Sequence, residues 1–249
     1  MGTLQADAPA PIDPHTIDQH TIEPQSLRLA GSTGADDDAS LDSRPNTAAS
    51  TGIAPLPSVE GGYRTVLADP PWRFTNRTGK VAPEHRRLDR YDTMDLGEIT
   101  ALPVPDHVAT DAHLYLWVPN ALLPEGLQVM QAWGFRYVSN LVWAKRRKDG
   151  GPDGRGVGFY FRNTTELILF GVRGTLRTLP PARRQVNIIE TRKREHSRKP
   201  DEQYELIEAC SPGPYLEMFA RYPQPGWSVW GNEADEDVTP RGKQYAAYS

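Results

Sequence analysis

The sequence of 249 residues has little cysteine and no long apolar run, and each absence excludes a class of protein. Cys210 is its single cysteine, which excludes an intramolecular disulfide and a cysteine-rich zinc site. No run approaches the roughly 20 apolar residues of a membrane span, and the first residues lack the basic and apolar regions of a signal peptide. We therefore expect a protein of the reducing cytoplasm, with no membrane association and no metal site.

The net charge of −4 is small, but the charges are segregated along the chain. Residues 1–57 carry eight acidic and two basic residues, a net of −6, which leaves +2 for the remainder. This stretch is poor in aromatic residues, so it buries too little apolar surface to offset the entropy of ordering. It predicts a disordered acidic tail over 1–57, followed by a folded domain over 58–238 and a C-terminal tail over 239–249.

The basic residues of the predicted domain are clustered. The clusters are Lys145-Arg146-Arg147-Lys148, Arg183-Arg184, and Arg192-Lys193-Arg194 with Arg198-Lys199. Such clusters can contact the phosphates of a nucleic acid, or they can be no more than a solvated surface. Both interpretations stay open for each cluster.

Apolar runs alternate with segments of helical spacing from Gly62 onward. The predicted strands are Thr65–Ala68, Leu114–Val118, Tyr137–Trp143, Glu166–Phe170, Val186–Ile189, Tyr215–Phe219 and Trp227–Trp230, and the predicted helices are 122–133 and 200–210. The glycine-rich stretch Gly150–Gly158 is interpreted as a mobile loop. Strands that alternate with helices predict a mainly parallel α/β sheet that binds ligands at the carboxyl ends of its strands.

Four residues, Asp69-Pro70-Pro71-Trp72, directly follow the apolar run Thr65–Ala68. Each proline fixes φ and has no N–H, so we expect rigid carbonyls that are free to accept from a substrate. The Asp69 carboxylate is a further acceptor, and the Trp72 indole offers a stacking face. This combination matches an exocyclic amino group on a flat ring, as in adenine, although Asp-Pro-Pro can also mark only a turn.

Further segments accompany this tetrapeptide between about residues 62 and 235. They are Tyr91–Met94, Leu114–Val118, Val142–Lys145, Glu166–Gly174, His196–Glu202, Ser211–Gly213 and Trp227–Glu233. The ordered set resembles the MT-A70-like adenine-N6 methyltransferases, which are related to the catalytic subunit of the eukaryotic mRNA adenosine methylation complex. No single segment is decisive, but their order is highly specific.

The resemblance implies a Rossmann-like methyltransferase sheet that binds S-adenosylmethionine, in a permuted order with the catalytic tetrapeptide before the cofactor strand. That strand would be Tyr215–Arg221, which lacks a Gly-x-Gly fingerprint. The cofactor-binding residues that the resemblance implies are Asp69, Lys199, Arg221, Asn232 and Glu233. Among them, Lys199 would face the methionine carboxylate, Arg221 and Asn232 the ribose, and Glu233 could accept from the ribose hydroxyls.

The resemblance also implies the catalytic residues, which are Asp69, Pro70, Pro71 and Trp72. The Asp69 carboxylate and the Pro70 carbonyl would accept the two amino protons of the adenine and favour a pyramidal nitrogen. They would also stabilise the positive charge that develops as the methyl group transfers. Trp72 would stack on the target base.

Three more residues are implied in substrate binding. Tyr91 would belong to a gating loop over the adenosine, and Trp143 and Glu166 would line the base pocket. Two alternatives stay open, because Trp143 could be ordinary core and Glu166 could pair with a nearby arginine.

The predicted function is S-adenosylmethionine-dependent methylation of the N6 amino group of adenine in nucleic acid, with DNA as the first candidate. The target base must be flipped or single-stranded, because the amino group cannot reach the cofactor inside a duplex. The alternatives are the same reaction on RNA and a catalytically silent nucleic-acid-binding paralogue. A homodimer is an open expectation for the assembly.

Overall fold

The structure is a computed structural model that describes residues 54–73, 93–154, 160–180, 182–192, 198–220 and 222–231. All of these residues belong to one unit, which begins at Ala49. Most of the predicted acidic tail and all of the predicted tail over 239–249 lie outside the described residues.

The described residues form a seven-stranded sheet with the order β5-β3-β4-β2-β1-β6-β7. The strands are β1 Tyr63–Ala68, β2 Val108–Val118, β3 Arg136–Arg146, β4 Thr165–Arg173, β5 Ile188–Arg192, β6 Tyr215–Met218 and β7 Trp227–Trp230. Strand β4 runs antiparallel to both of its neighbours, whereas every other pairing is parallel. The prediction of a mainly parallel α/β methyltransferase sheet is confirmed.

Strand β1 lies in the middle of the sheet, between β2 and β6. Its last four residues, from Thr65 to Ala68, are buried, which is typical of a parallel strand that is covered on both faces. Pro70 then removes an N–H donor and prevents further ladder bonds. The strand therefore ends at Ala68, and Asp69 is placed at the carboxyl edge of the sheet as predicted.

Helices cover both faces of the sheet, but they are fewer within the described residues than alternation along the chain would give. They are α1 Leu96–Thr100, α2 Val104–His107, α3 Leu123–Ala132 and α4 Glu202–Cys210. Ile99, Val104 and Met130 bring α1, α2 and α3 onto one face, while Ile207 brings α4 onto the other. Because side chains alternate along a strand, Leu67 and Asp69 both point to the face that α4 covers.

The start of the domain lies earlier than the sequence predicted. The Leu56 side chain is 7% exposed and joins the core on the α1–α3 face. The carbonyl of Ala54 accepts a hydrogen bond of 2.6 Å from the indole N–H of Trp230 in β7. Residues 54–57 therefore belong to the domain, because one apolar side chain and one backbone carbonyl attach them to it.

Strand β3 is longer than predicted, since it runs to Arg146. Lys145 pairs with Thr191 and Arg146 with Arg192 in the ladder with β5. Lys145 and Arg146, the first two residues of the basic cluster, therefore lie within β3 and not after the predicted strand Tyr137–Trp143. Within the described part of the chain, no helix is long and apolar enough to cross a membrane.

Candidate active site

The tetrapeptide is fixed by backbone hydrogen bonds at the carboxyl edge of the sheet. The Asp69 N–H donates to the Met218 carbonyl at 3.4 Å. The Pro70 carbonyl accepts from the Trp72 N–H at 2.8 Å, and the Pro71 carbonyl accepts from the Met94 N–H at 2.9 Å. The expectation that both proline carbonyls are free is therefore wrong, because residues after the prolines supply the donors. Each carbonyl keeps a second lone pair for another donor.

Trp72 is part of the core rather than an open stacking surface. It is 7% exposed, and its indole N–H donates to the Trp117 carbonyl of β2 at 2.9 Å. This bond ties the tetrapeptide to the neighbouring strand. The stacking of Trp72 on a target base stays a prediction, and only a small part of its surface is open to a base in this conformation.

Lys199 connects two carboxylates at the same edge. Its Nζ lies 3.0 Å and 2.9 Å from the two carboxylate oxygens of Asp69 and 3.4 Å from Oε2 of Glu166. It also lies 4.9 Å from the ring centroid of Trp117. Burial alone would lower the pKa of Lys199, but the charges of Asp69 and Glu166 outweigh it and raise that pKa. The lysine is therefore held as a cation between two acidic groups.

Lys145 extends this arrangement from the other side. Its Nζ donates to Oε1 of Glu166 and lies 4.9 Å from the ring centroid of Trp143. Burial would raise the pKa of Glu166, but Lys199 and Lys145 outweigh it and lower that pKa. Glu166 is thus an ionised carboxylate between two lysines, and the alternative in which it pairs with an arginine is wrong.

Two buried tryptophans lie beneath the lysines. Trp117 and Trp143 are each 2% exposed, and their rings meet edge to face with centroids 5.9 Å apart. The Trp117 indole donates to Gln203 and the Trp143 indole to Thr191, both at 2.8 Å. Their burial agrees with the alternative that Trp143 is core, and its contact with a base stays a prediction.

Strand β6 carries one member of a side-chain pair that sequence reasoning missed. The Tyr204 hydroxyl of α4 donates to both carboxyl oxygens of Glu217 in β6, at 2.9 Å and 3.0 Å. Burial raises the pKa of Glu217 to about 7, with the Asp69 charge acting in the same direction. A glutamate inside the apolar run Tyr215–Phe219 was the available signal. Phe219 follows the strand with a φ of 63°, an uncommon value for a residue with a side chain.

The remaining predicted residues cannot be placed. Tyr91, Arg221, Asn232 and Glu233 lie outside the described residues, so their roles stay predictions. Among the residues that the structure does describe, no group of three or more His, Cys, Asp or Glu side chains could hold a metal ion.

The charged groups at the edge suit the methionine end of S-adenosylmethionine. Lys199 offers a cation to a carboxylate, while Asp69 and Glu217 offer carboxylates to an ammonium or a sulfonium. The backbone of Gly231 after β7 approaches Ala220 so closely that an added Cβ would lie 3.0 Å from its carbonyl oxygen. The one cation and two carboxylates at this edge therefore match the charges at the methionine end of the cofactor.

The comparisons with known proteins agree with this chemistry. The MT-A70 family model matches residues 63–233. A putative N(6)-adenosine-methyltransferase MT-A70-like of Medicago truncatula is 32% identical, over 76% of this chain and 30% of its own length. The human N(6)-adenosine-methyltransferase catalytic subunit METTL3 is 31% identical, over 75% of this chain and 32% of its own length.

A bacterial relative is matched over more of its length. The type II methyltransferase M.MunI of a Mycoplasma species is 27% identical, over 70% of this chain and 79% of its own length. By contrast, the chain spans about a third of the plant and human relatives. MT-A70 methyltransferases use S-adenosylmethionine as the methyl donor. This chain belongs to the MT-A70 family.

Proposed function

We propose that the protein transfers a methyl group from S-adenosylmethionine to the N6 amino group of adenine in nucleic acid, with DNA as the substrate. The observation that carries this proposal is the placement of Asp69. It follows the central strand β1 at the carboxyl edge, and the ammonium of Lys199 holds both of its carboxylate oxygens. A carboxylate fixed in this way is positioned to accept hydrogen bonds from an amino group.

The main requirement of the reaction is a pair of hydrogen-bond acceptors beside the target amino group. Bound S-adenosylmethionine supplies an electrophilic methyl group. The Asp69 carboxylate and the remaining lone pair of the Pro70 carbonyl accept the two amino protons, so the nitrogen lone pair is directed towards the methyl group. The same acceptors stabilise the positive charge that develops on nitrogen, an effect that is strong in a water-poor site. Asp69 need not be a strong base, because the methylated amine loses its proton readily.

Lys199 and Glu166 position these acceptors. Lys199 orients the Asp69 carboxylate, and the contacts of Glu166 with Lys199 and Lys145 keep the lysine in place. Because the ammonium of Lys199 lies between Asp69 and Glu166, the two carboxylates can lie close together without strong repulsion. The resemblance also assigns Lys199 to the methionine carboxylate of the cofactor, which would have to share this ammonium with Asp69 and Glu166.

An exposed segment at the same edge supports a nucleic-acid substrate. Tyr160 and Phe161 are 95% and 85% exposed, and Arg162 beside them is exposed as well. Because β4 runs opposite to its neighbours, this segment precedes β4 at the edge where β1 ends. Aromatic side chains beside a basic one can stack on unpaired bases and contact the phosphate backbone.

The choice of DNA rests on how much of each relative the chain covers. It spans 79% of the type II methyltransferase but about a third of the human and Medicago N(6)-adenosine-methyltransferases. The shared length favours the bacterial enzyme as the functional model. RNA methylation is the second candidate, supported by the higher identity to those adenosine methyltransferases.

Methyl transfer from isotope-labelled S-adenosylmethionine tests the proposal. Single-stranded DNA, duplex DNA and RNA of one matched sequence are incubated with the full chain, and the nucleosides are analysed by mass spectrometry. We expect N6-methyldeoxyadenosine from DNA, with little product from RNA. The Asp69→Asn variant is the control for a contaminating methyltransferase.

The outcomes separate the alternatives. Faster methylation of RNA adenosine would replace the DNA assignment but keep the chemistry. Cofactor binding without transfer to any of the three substrates would favour the silent paralogue. Localisation in the cytoplasm and a homodimeric assembly remain predictions that this experiment does not address.

A further inference from the structure

The ring of Trp117 lies beneath the ammonium that holds Asp69. The Nζ of Lys199 is 4.9 Å from the Trp117 ring centroid, so the cation is attracted to the face of the ring. The two acids that share this ammonium, Asp69 and Glu166, are partly exposed, whereas Trp117 is buried. Among these three contacts, the ring is therefore the one that the core holds in place.

The indole N–H of Trp117 fixes the orientation of that ring. It donates to Oε1 of Gln203 at 2.8 Å, and both side chains are buried. The torsion that joins an aromatic ring to its stem has a broad energy well, so a hydrogen bond defines the ring plane more sharply than that torsion does. A buried N–H without an acceptor is costly, so the orientation that meets Gln203 is preferred.

Gln203 is itself held by the segment that carries Lys199. It is the second residue of α4, and its backbone N–H donates to the Pro200 carbonyl at 3.1 Å. Ile207, one turn further along the helix, is buried in the core on the same side of the sheet. The short segment from Lys199 to Gln203 thus supplies both the lysine and the side chain that orients the ring beneath it.

The second buried tryptophan repeats this arrangement. Trp143 lies under Lys145, whose Nζ is 4.9 Å from its ring centroid, and its indole N–H donates to the Thr191 hydroxyl of β5 at 2.8 Å. Thr191 is buried as well. Lys145 binds Glu166, which in turn contacts Lys199. This second hydrogen bond therefore reaches the reacting carboxylate through more contacts than the first.

We propose that Gln203 is a positioning residue for methyl transfer, because it sets the Trp117 ring and, through that ring, the ammonium that orients the reacting carboxylate. The kinetic part of this inference rests on the proposed function, whereas the position of Lys199 can be measured without a substrate. A misplacement of about 1 Å can slow a reaction by roughly a hundredfold. Loss of the Gln203 acceptor should therefore lower kcat and leave the KM for nucleic acid nearly unchanged.

NMR of the full chain labelled with ¹³C-lysine measures where each lysine lies relative to its ring. The chain has six lysines, so few ε-methylene signals overlap. Protons over the face of an aromatic ring are shifted upfield, so we expect two upfield signals, which Lys199→Arg and Lys145→Arg assign by their loss. In Gln203→Met the Lys199 signal should move towards that of an exposed lysine. In Thr191→Val the Lys145 signal should move instead.

Steady-state methyl transfer measures the consequence, with Glu208→Met as the matched control. The indole N–H of Trp227 donates to Glu208 at 2.8 Å, so this variant also removes a hydrogen-bond acceptor on α4 from a tryptophan. Trp227 begins β7, at the edge of the sheet opposite the site. We expect kcat to fall about tenfold in Gln203→Met and at most about threefold in Thr191→Val. Glu208→Met should keep the wild-type kcat and KM.

Thermal melts separate positioning from a general loss of stability. Gln203→Met and Glu208→Met each remove an indole acceptor, but only the first should lose rate at temperatures where both are folded. If Gln203→Met does not fold, Gln203→Asn replaces it, because its shorter amide cannot reach the indole. Thr191→Ser keeps the hydroxyl and should behave as the wild type.

The outcomes distinguish this inference from the proposed function. An unmoved Lys199 signal in a folded Gln203 variant, or equal loss of kcat in Gln203→Met and Glu208→Met, would overturn the inference and leave the proposed function standing. A wild type that binds nucleic acid but transfers no methyl group would overturn both the proposed function and the kinetic role of Gln203.

Discussion

At the scale of single residues, the site depends on one lysine between two acids. Lys199 contacts both oxygens of Asp69 and one oxygen of Glu166. Without that cation the two carboxylates would lie near each other in a partly buried region, where like charges repel strongly. The sequence assigned Lys199 only to the cofactor carboxylate. The geometry adds a second role, which is to hold the Asp69 carboxylate in one orientation before any substrate binds.

Replacing Asp69 with asparagine should slow methyl transfer strongly while leaving the fold intact. The amide keeps one oxygen for Lys199 but loses the negative charge that stabilises the developing positive charge on nitrogen. We expect kcat to fall by roughly a hundredfold or more, the scale for losing one electrostatic interaction in a transition state. Single-turnover assays and a thermal melt check both parts. A kcat within a few-fold of wild type would refute the role of Asp69.

Replacing Trp72 with phenylalanine separates its structural role from stacking. Phenylalanine keeps an aromatic face, but it removes the indole N–H that donates a hydrogen bond to the buried Trp117 carbonyl. We expect the free energy of unfolding to fall by about 1–3 kcal/mol, with little change in the KM for nucleic acid. Denaturant unfolding and steady-state kinetics measure the two quantities. A raised KM at unchanged stability would instead show that Trp72 acts on the base.

The titration of Glu217 should make the fold less stable as pH rises. A carboxyl group whose pKa increases on folding, from its ordinary 4.5 to about 7, favours the folded state while it stays protonated. That contribution is fully present below about pH 4.5, and it is lost as pH rises through about 7. It amounts to at most about 3 kcal/mol.

Thermal melts of the cofactor-free chain between pH 5 and pH 8 measure this loss. Glu217→Gln should flatten the decline, and Glu205→Gln should not. The titration of Glu166 does not interfere with the comparison of wild type and Glu217→Gln, because its lowered pKa puts its contribution to stability at more acidic pH. An identical decline in wild type and Glu217→Gln would show that another group causes it.

At the scale of elements, β3 and β4 bring the site together. Glu166 is the second residue of β4 and pairs with Trp143 of β3, and Lys145 lies two residues further along β3. Since side chains two apart share a face, Lys145 reaches Glu166 across the two strands. The reversed direction of β4 is essential here, because it places the first residues of β4 at the edge where β1 ends.

Sequence reasoning predicted the strands and their common edge, but it did not predict which charged side chains would form ion pairs there. The apolar runs around Asp69, Trp117 and Glu217 identify the strands, since burial on both faces leaves an uninterrupted hydrophobic signal. The reversal of β4 and the extension of β3 through Lys145 leave no such signal. Both depend on pairing between strands distant in sequence, which periodicity does not report. The pairing of Lys145 with Glu166 was missed for the same reason.

Lys145→Met and Arg162→Ala should affect different properties. Lys145→Met removes one hydrogen-bond donor from a largely buried Glu166, so we expect the free energy of unfolding to fall by about 1–3 kcal/mol. Arg162 is exposed at the edge, so its replacement should leave stability unchanged. If Arg162 binds one phosphate, the Arg162→Ala variant should show a dependence of log affinity on log salt that is smaller by about 0.7–0.9.

Fluorescence anisotropy with labelled single-stranded DNA over a range of salt concentrations measures these slopes. Lys145→Met should keep the wild-type slope, because its ammonium already pairs with Glu166. A reduced slope in Lys145→Met would show that this lysine contacts phosphate, in line with the nucleic-acid interpretation of the basic cluster. An unchanged slope in Arg162→Ala would remove the segment from the nucleic-acid interface.

At the scale of the whole molecule, the boundary of the folded unit decides which truncations are tolerated. The unit begins at Ala49, and its described part includes Ala54 and Leu56, which contact the domain. The eight acidic residues of the predicted tail all precede residue 49. Two truncations that differ by only nine residues can therefore separate the effect of the acidic charge from the effect of the contacts with the domain.

Removal of residues 1–48 should leave the melting temperature nearly unchanged, whereas removal of residues 1–57 should lower it. The longer truncation removes the burial of Leu56, worth about 1.5–3 kcal/mol, and the hydrogen bond from Trp230 to the Ala54 carbonyl, worth about 0.5–1.5 kcal/mol. For a domain of this size the difference corresponds to roughly 5–15 °C.

The shorter truncation also removes a net charge of −6, so it should tighten binding to nucleic acid at low salt and have little effect at high salt. Calorimetric melts of both truncations and of the point variant Leu56→Ala in the full chain separate burial from chain length. If removal of residues 1–48 lowered the melting temperature as much as removal of residues 1–57, the stabilising contacts would lie before Ala49. The predicted acidic tail would then be part of the fold.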